Sequence, residues 1–542
     1  MAQKGRTSRL VWLRRAVQTV LLLLFLYLFL DTVYHPINQA GRGVKLFFQF
    51  DPLHLLLTWL ASHTVPAGML LALSTLAVTL VCGRWFCGWI CPFGTLHHLF
   101  SAMRSGRMKI KLDTGGYGSW QKAKYYSLAV FLGGALLGVN AVGWLDPFSF
   151  FFRSLTTSVF PAVNSAVVAL FAWIYNANPG IGPARVTTLS EPVYEFLRRH
   201  FLAAQQPHYY GNVLIGFLFV TVVALNFFRT RFWCRYVCPL GALLGIAARN
   251  PLIRLAKSAG CDNCRLCLAD CQGGANTANA DQWKPAECFY CFNCQSDCPS
   301  GAISLTLRRP SPAERKAARL DLSRRQVVAS GAAGLGAVFL FRTHPLGQAR
   351  SFNEWLVRPP GALREVDFLS RCIRCGECMK ICPTNAIHPA GLEAGPEGAW
   401  TPSLQFKIGY CEYECTLCTQ VCPTGAIRSM EVGEKQKVRI GLAYFDRNRC
   451  LPYAFARPCI VCQEHCPTPK KAIWFEPAEV LNPQGEKVTI KQPRIDPDLC
   501  IGCGICVNKC VIKGQPAVLV SSVGESRNPD NGLLLNDNPF GG

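Results

Sequence analysis

Long apolar runs alternate with short basic clusters over the first part of the chain. Four of these runs approach the length of a membrane-spanning helix: Val11–Leu30, Val65–Val81, Tyr125–Trp144 and Val213–Phe228. A helix rises roughly 1.5 Å per residue, so about twenty apolar residues cross the hydrocarbon core of a bilayer. The pattern therefore predicts four membrane helices that form two successive hairpins.

Other apolar runs are harder to place. Leu53–Leu60 is too short to span a membrane and is predicted to be an interfacial or re-entrant segment. Val159–Tyr175 fits either a fifth span or a helix lying in the interface. The interface is favoured, because an extra span would invert the orientation of everything after it. Val11–Leu30 also resembles a signal peptide, but no small-residue cleavage site follows it clearly.

The chain is strongly basic, with 56 Lys and Arg against 33 Asp and Glu and a net charge of +23. The positive charge is concentrated in four clusters beside apolar runs: Lys4–Arg15, Arg104–Lys124, Arg229–Lys257 and Arg308–Arg325. Positive residues mark cytoplasmic loops, so these clusters are expected inside and the loops 31–64 and 145–210 outside. No soluble stretch interleaves basic and aromatic residues, so no nucleic-acid partner is expected.

A last apolar run, Val327–Phe341, is short and rich in glycine and alanine. It follows the pair Arg324-Arg325, as in a twin-arginine export signal, although valine stands where such signals commonly have phenylalanine. A weak hydrophobic anchor after a basic loop is the alternative interpretation. The export interpretation places everything after about residue 342 in the periplasm.

The chain has 29 cysteines in tight groups, which is untypical of a disulfide scaffold because such scaffolds are small and secreted. Two runs with the spacing C-x2-C-x2-C-x3-C are Cys261, Cys264, Cys267, Cys271 and Cys288, Cys291, Cys294, Cys298. This spacing is typical of bacterial ferredoxins, in which the fourth cysteine ligates the other of two [4Fe–4S] clusters. Cys298 is therefore expected to complete the first cluster and Cys271 the second. Zinc sites usually have two separated C-x2-C pairs, which these runs do not form.

Four more cysteine groups follow the last apolar run. They are Cys372, Cys375, Cys378, Cys382; Cys411, Cys415, Cys418, Cys422; Cys450, Cys459, Cys462, Cys466; and Cys500, Cys503, Cys506, Cys510. Together with the first two runs they predict six [4Fe–4S] clusters, or about 24 irons. Spacing alone does not say which group lends its fourth thiol to which.

Two nearly matching phrases contain most of the remaining cysteines. RWFCGWICPFG occupies 84–94 and RFWCRYVCPLG occupies 231–241, each after an apolar hairpin. Their cysteines are Cys87, Cys91, Cys234 and Cys238. Cysteines four apart share one helix face, and the hairpin repeat would bring both pairs to one point. Three interpretations remain open: a metal or iron–sulfur centre, a redox-active dithiol pair, or packing.

The twin phrases followed by the ferredoxin pair resemble the NapH and MauN type of membrane polyferredoxin, over about residues 10–305. The twin arginine, the segment Arg358-Pro359-Pro360-Gly361-Ala362 and the four later groups resemble the NapG and MauM type of ferredoxin, over about 320–520. The chain resembles a fusion of the two. The expected fold is a membrane α-helical unit of four helices (1–245), an α+β dicluster ferredoxin (246–308), a linker with one anchor helix (309–345) and a four-cluster ferredoxin (346–542).

The resemblance implies an inner-membrane protein that oxidises quinol and passes electrons through exported clusters to a periplasmic redox partner. It also implies that the first C-terminal group exchanges its fourth cysteine with the last, and the second with the third. Cys510 would then complete the Cys372 cluster and Cys382 the Cys500 cluster. Cys466 would complete the Cys411 cluster and Cys422 the Cys459 cluster. The eight-residue gap after Cys450 resembles an insertion, so Cys450 is the least secure ligand.

Two other functions fit the sequence. The same carriers would also conduct electrons from a periplasmic dehydrogenase to the quinone pool, or reduce the metals of another enzyme during its maturation. Histidine titrates in the range that quinol oxidation needs. His97 and His98 follow the first phrase, and His35, His54 and His63 compete from the opposite side, so no base is selected. There is no C-x-x-C-H haem motif and no nucleotide motif, so the electron donor and acceptor lie in partners, additional membrane subunits included.

Overall fold

The computed structural model of this chain forms two compact units. The first contains residues 1–31, 43–152 and 216–340, and the second contains 32–42, 153–215 and 341–542. Each unit is described by itself. The structure describes residues 9–33, 38–41, 43, 45–103, 115–178, 180–181, 184–203, 206–278, 282–343, 353–528 and 531.

The first unit is mainly helical. Its principal helices are Arg9–Asp31, Pro52–Ser62, Ala72–Cys82, Trp85–Trp89, Pro92–Ala102, Ala123–Leu136, Pro147–Ser154, Asn212–Ala224, Pro239–Ala247 and Arg324–Thr343. Pro147–Ser154, Asn212–Ala224 and Arg324–Thr343 extend past the bounds of this unit. Aromatic rings fill the core: Phe25 stacks on Phe151 with centroids 5.1 Å apart, and Phe150 stacks on Trp233 at the same distance. This core supports both twin phrases.

Two of the described helices, Arg9–Asp31 and Pro147–Ala177, are long and apolar enough to cross a membrane. The first contains the predicted run Val11–Leu30. The second contains the predicted run Val159–Tyr175 but begins earlier, at Pro147, and its interfacial placement stays a prediction. A π-helical turn at Leu155–Val159 precedes Pro161, whose missing N–H would otherwise break the helix at that point.

The other predicted spans are shorter in the structure than in the sequence analysis. The second run forms an apolar helix at Gly68–Cys82, and the fourth forms one at Asn212–Phe227. The third forms Ala123–Leu136 and ends before Gly138, which has φ 79°. The four-span arrangement therefore stays a prediction.

The glycine-rich run forms the helix Arg324–Thr343, which packs closely on Ala123–Leu136. A Cβ on Gly334 would collide with the backbone oxygen of Val130, and a Cβ on Gly133 would collide with that of Gly331. Small residues allow helix backbones to approach in this way, most of all in membranes. Glycine in this run is therefore required for packing.

The ferredoxin pair of the first unit is a small α+β fold. Strand Ile253–Lys257 pairs antiparallel with Ile303–Leu307. The short helices Leu266–Ala269 and Asn293–Ser296 lie between these strands in sequence and pack on each other. This agrees with the expected ferredoxin-like architecture.

The second unit combines the end of the long apolar helix, Phe160–Ala177, with further helices and four antiparallel strand pairs. Its other helices are Val186–His200, Glu365–Arg371, Glu377–Lys380, Gly395–Gly398, Leu417–Gln420, Val432–Lys435, Leu451–Ala454, Val461–Glu464 and Ile505–Asn508. Its strand pairs are Gly180–Ile181 with Ala184–Arg185, Ile387–Pro389 with Pro402–Leu404, Leu442–Phe445 with Val518–Ser521, and Ile473–Leu481 with Lys487–Ile495. Most of the C-terminal cysteines line its buried core.

Candidate functional site

The twin phrases meet inside the first unit. Cys87, Cys91, Cys234 and Cys238 are all buried, and they are called the four-thiol group below. Burial raises the pKa of Cys91, and the nearby Cys234 and Cys87 thiols raise it further. Burial also raises the pKa of Cys238, with further contributions from the other three thiols. The four thiols therefore lie within electrostatic range of one another.

In the first phrase the two cysteines lie on either side of a helix junction. Cys87 belongs to the helix Trp85–Trp89, whereas Cys91 is the N-cap of the helix Pro92–Ala102. The Sγ of Cys91 accepts a hydrogen bond from the backbone N–H of Gly94 at 3.4 Å. The backbone thus orients this sulfur toward the start of the new helix.

The second phrase repeats this arrangement. Cys234 lies in the π-helical turn Trp233–Val237, and Cys238 caps the helix Pro239–Ala247. The Sγ of Cys238 accepts from the N–H of Gly241 at 3.2 Å. The expectation that each pair shares one helix face is therefore wrong. Each proline begins a new helix, where its missing N–H has no cost.

Two fully buried arginines, Arg84 and Arg231, flank the four-thiol group. Both guanidinium groups stack on the ring of Phe289, at 4.8 and 5.0 Å. Arg84 pairs with Glu287 at 3.4 Å, but within the described part of the chain no carboxylate pairs with Arg231. Burial lowers the pKa of Arg231, and Cys234 is the largest opposing influence. Its charge is compensated if the neighbouring sulfurs are thiolates.

Glu287, next to the second cysteine run, connects the ferredoxin pair to the helices. Its carboxylate accepts from Tyr125 at 2.8 Å and from Gln121 Nε2 at 3.1 Å, and it also pairs with Lys124. A buried carboxylate is stable only when it is paired and hydrogen-bonded in this way. The bonds of Glu287 hold the start of the second run in place, and the neighbouring Phe289 packs against Arg84 and Arg231 of the twin phrases.

Within the ferredoxin pair, Cys271 lies beside the second run. Burial raises the pKa of Cys294, and Cys291, Cys288 and Cys271 raise it further. This is the position from which Cys271 can act as the fourth ligand of that run. The matching role of Cys298 in the first run stays a prediction.

In the C-terminal region, Cys422 lies beside the first group. Burial raises the pKa of Cys378, and Cys375, Cys372 and Cys422 raise it further. The resemblance implied Cys510 in this place. The structure instead places Cys422, from the next group along the chain, beside these three thiols.

Cys382 makes the reciprocal contact with the second group. Burial raises the pKa of Cys418, and Cys411, Cys415 and Cys382 raise it further. The resemblance implied Cys466 here. The fourth thiol of each of the first two groups therefore lies near the first three thiols of the other.

The fourth group has a cavity of its own. Cys500, Cys503 and Cys506 line it together with Cys466 of the third group. The resemblance implied Cys382 as the fourth thiol of this group. Four converging thiols around one cavity are the donor set that a cubane cluster needs.

The insertion after Cys450 does not remove this residue from its group. Burial raises the pKa of Cys450 to about 11, and Cys459 and Cys510 are its thiol neighbours. Cys459 and Cys450 also act on Cys462, whose pKa burial raises to about 12. Cys510, and not Cys422 as the resemblance implied, is thus the neighbour from another group.

Helix packing explains all of these exchanges. Glu377–Lys380 packs on Leu417–Gln420, and Val461–Glu464 packs on Ile505–Asn508. Each of these helices carries the third cysteine of its group. Groups whose helices pack together place the fourth thiol of each near the first three of the other, as in dicluster ferredoxins.

The two C-terminal diclusters are directly connected. The backbone N–H of Cys411 donates to the carbonyl oxygen of Cys503 at 2.9 Å. Burial raises the pKa of Cys503 to about 12, and Cys411 adds to this effect. Ligands of different diclusters are therefore immediate neighbours.

The candidate histidines of the sequence analysis lie in different surroundings. His97 is buried, and its Nδ1 lies 2.6 Å from Nδ2 of Asn226. His98 is partly buried, and His63 is exposed at the end of its helix. His35 lies outside the described residues.

The sequence families that match this chain bind iron–sulfur clusters. A 4Fe-4S binding domain matches residues 64–111 and 212–258, which contain the twin phrases. A 4Fe-4S dicluster domain matches 371–426, and another matches 287–387. A further 4Fe-4S binding domain matches 493–510. Multiple [4Fe–4S] clusters are thus the cofactors of this chain.

Curated relatives match about a third of the chain. The ferredoxin-type protein NapG of Escherichia coli K12 is 37% identical over 166 residues, which are 30% of this chain and 69% of the relative. The methylamine utilization ferredoxin-type protein MauM of Methylorubrum extorquens is 33% identical over 219 residues, or 38% of this chain and 94% of the relative.

The ferredoxin-type protein NapF of Escherichia coli is 30% identical over 161 residues, which are 84% of its length. No solved structure matches the chain. With its buried cysteine groups and these relatives, the chain is an iron–sulfur electron-transfer protein that belongs to the NapG and MauM family of ferredoxin-type proteins.

Proposed function

We propose that this protein is a quinol dehydrogenase of the bacterial inner membrane that passes electrons through [4Fe–4S] clusters to a periplasmic redox partner. The observation that carries the proposal is the contact between the four-thiol group and the ferredoxin pair. Arg84 and Arg231 lie beside these thiols and stack on Phe289, next to the cluster ligand Cys288. Membrane-associated thiols and a ferredoxin are thereby joined into one candidate path.

The described cysteines fit six clusters, which supply one-electron carriers. For the first unit we assign Cys261, Cys264, Cys267, Cys298 and Cys288, Cys291, Cys294, Cys271. For the second unit the thiol neighbourhoods support Cys372, Cys375, Cys378, Cys422; Cys411, Cys415, Cys418, Cys382; Cys450, Cys459, Cys462, Cys510; and Cys500, Cys503, Cys506, Cys466.

The four-thiol group is proposed to hold a seventh centre, either a metal ion or an iron–sulfur cluster. Four buried thiolates and two buried guanidinium groups would leave a net charge of about −2, which a divalent metal ion or the core of an iron–sulfur cluster would balance. The match of a 4Fe-4S binding domain to both phrases supports the same conclusion.

The placement in the membrane is proposed from charge and helix length. The basic clusters predict a cytoplasmic dicluster at 246–308, which follows a membrane unit that covers residues 1–245. Arg324-Arg325, at the start of the helix Arg324–Thr343, predicts export of residues 346–542 to the periplasm. Two helices long enough to cross a membrane support a membrane location.

A second candidate is electron flow in the opposite direction, from a periplasmic dehydrogenase to the quinone pool. It is favoured by the similarity to MauM, whose name assigns it to methylamine utilization and of which 94% is covered. The cysteine sets and the path would be the same in both directions.

The experiment uses the full chain, purified anaerobically in detergent. A short-chain quinol is added, and cluster reduction is followed by electron paramagnetic resonance. Reduction within seconds supports quinol oxidation. Oxidation of pre-reduced clusters by quinone, without any reduction by quinol, would support the second candidate, and no response to either would overturn both.

Iron, sulfide and zinc are counted in the same preparation and in a Cys87→Ser, Cys234→Ser double variant. Six cubanes account for about 24 irons. Excess iron or zinc that is lost only in the variant supports the seventh centre. Equal metal content in both proteins would overturn the seventh centre, and the four thiols would then serve dithiol chemistry or packing.

A further inference from the structure

A second repeated motif lies in the first unit, away from the cysteines. Asp51-Pro52-Leu53-His54 and Asp146-Pro147-Phe148-Ser149 both begin a helix with Asp-Pro, 95 residues apart. Asp51 accepts from the N–H of Leu53 at 2.8 Å, and Asp146 accepts from the N–H of Ser149 at 2.9 Å. Each aspartate is thus an N-cap, which explains why the motif forms a helix start.

The two helix starts meet in a fully buried cluster of Asp51, His54 and Asp146. Nε2 of His54 lies 2.9 Å from Oδ2 of Asp146 and 3.1 Å from the hydroxyl of Ser149. Ligand atoms of the three residues all lie within 4.8 Å of one another. Capping alone does not require a histidine between two carboxyl groups in a dry site.

The hydrogen bonds define the protonation of the imidazole. A carboxylate only accepts, so Nε2 of His54 carries the proton that it donates to Asp146. Nδ1 is then a free lone pair, and it has no hydrogen-bond partner among the residues that the structure describes. A buried imidazole that is oriented by a carboxylate, with its other nitrogen unpartnered, is the arrangement of a general base.

Direct hydrogen bonding argues against a tetrahedral zinc ion at this position. Zinc between His54 and Asp146 would hold each ligand atom at roughly 2.0 to 2.2 Å and keep the two atoms about 3.4 Å apart. The observed 2.9 Å is a hydrogen-bond distance. The cluster is therefore equipped to hold and move protons.

Aromatic rings connect this cluster to the twin phrases. The ring of Phe48 lies 6.2 Å from that of His54 and 6.4 Å from that of Phe148. Phe148 in turn lies 6.1 Å from Phe86, the residue before Cys87. A proton acceptor and a thiol group proposed to carry electrons thus lie at the two ends of one apolar, aromatic region, the surroundings that a quinone ring prefers.

We propose that His54 is the base that accepts the proton of a quinol hydroxyl, with Asp146 as its positioning residue. This inference rests on the proposed quinol oxidation. Each quinol loses two protons and two electrons. The protons pass one after the other from its hydroxyl groups to Nδ1 of His54 and on to water, and the two electrons leave singly to iron–sulfur acceptors of this chain.

The test compares His54→Gln and Asp146→Asn with the wild-type protein and with Thr58→Val. Asparagine keeps the helix cap but lacks the carboxylate. Thr58 is a buried polar residue of the same helix as His54 and accepts a hydrogen bond from Asn140 at 3.2 Å, so its loss controls for local damage. Cluster reduction by quinol and by dithionite, the KM for quinol and iron content are measured on the full chain.

General bases typically contribute 10²- to 10⁴-fold. We expect quinol-dependent reduction to slow about a hundredfold in both variants, with the KM for quinol within about twofold and with iron content and dithionite reduction unchanged. Thr58→Val should stay within about twofold of wild type.

Several outcomes would overturn the inference. It fails if the His54 and Asp146 variants match Thr58→Val, or if iron content falls in step with the rate. A stoichiometric metal ion that is lost in Asp146→Asn would identify a metal site instead. A wild-type protein that quinol does not reduce at all would overturn the proposed function itself.

Discussion

Nη1 of Arg231 donates a hydrogen bond to the backbone carbonyl of Cys87 at 3.1 Å, so the arginine of the second phrase completes the first. Arg84 in turn packs against the second phrase at Gly241, where a Cβ would come within 2.6 Å of its Nη2. The arginine and the glycine of the two phrases are therefore partners across the repeat.

Removal of one of these arginines should disturb the four-thiol group. Arg231→Gln leaves buried thiolates without their cation, and breaking a buried charge pair typically costs about 3–5 kcal/mol. We expect loss of the seventh centre and a lower thermal midpoint, measured by metal analysis and by melting in detergent. Arg249→Gln changes an exposed arginine of the same unit and should leave both unchanged. Retention of metal in Arg231→Gln would mean that the thiols do not need this charge.

Double variants can decide which C-terminal cysteine groups share their fourth ligands. If Cys372 and Cys422 ligate one cluster, the Cys372→Ser, Cys422→Ser variant should lose about four irons, no more than Cys372→Ser alone. Cys372→Ser, Cys510→Ser should damage two clusters and lose about eight. If instead the Cys372, Cys422 variant loses about eight irons and the Cys372, Cys510 variant about four, Cys510 is the fourth ligand of the first group, as the resemblance implied. Iron and sulfide analysis of the full chain provides the count.

Glu365 joins two arginines in the second unit. It accepts from Arg358 Nε at 3.2 Å and from Arg527 Nη1 at 2.8 Å. Burial alone would raise the pKa of Glu365, but Arg358 and Arg527 lower it to about 2. A depressed carboxyl pKa stabilises the fold above the ordinary value near 4.5, and this stability is lost as the pH falls toward 2.

Glu365→Gln should therefore destabilise the protein by up to about 3 kcal/mol at pH 7. The difference from wild type should be constant from pH 7 to about pH 5 and shrink at lower pH. Denaturant midpoints across this range provide the measurement. The control Glu434→Gln breaks an exposed pair with Arg428 and should change stability by less than about 1 kcal/mol. An equal effect of both variants would show that the buried position does not matter.

Helix packing through glycine gives a matched pair of variants. Gly334→Ala places a methyl group against the backbone of Val130, whereas Gly336→Ala meets nothing within 4 Å. Overpacking costs about 1–3 kcal/mol, while alanine in an open helix position is mildly stabilising. We expect a lower melting temperature for Gly334→Ala only. Equal melting temperatures would mean that this helix does not pack on its neighbour.

The sequence predicted the cysteine groups well but not how they pair. Ligation demands close spacing, so the ligands of each group can be read directly from the chain. The exchange of Cys422 and Cys510 depends on which short helices pack together, and that is a tertiary property. The long hairpin Ile473–Leu481 and Lys487–Ile495 was likewise not predicted, because nine-residue strands between cysteine motifs carry no signal beyond local alternation.

Two features were missed although the sequence contained a signal for them. Arginine and glycine recur at the same offset in both phrases. This repeat indicated a structural role for Arg84 and Arg231 in addition to that of membrane-flanking charges. The repeated Asp-Pro marked Asp51 and Asp146, and it would have singled out His54 among the competing histidines. Their burial and their meeting could not be predicted, because both require the two halves to be docked.

The crossed contacts of Arg84 and Arg231 also have an evolutionary consequence. Each half supplies a cation that the other half needs, so neither is self-sufficient. An ancestor with one repeat would satisfy the same contacts as a two-fold symmetric homodimer, in which each protomer reaches into its twin. Gene duplication and fusion would then have released one half from this symmetry, and the unlike pair His54 and Ser149, at equivalent positions, is one place where the two copies have diverged.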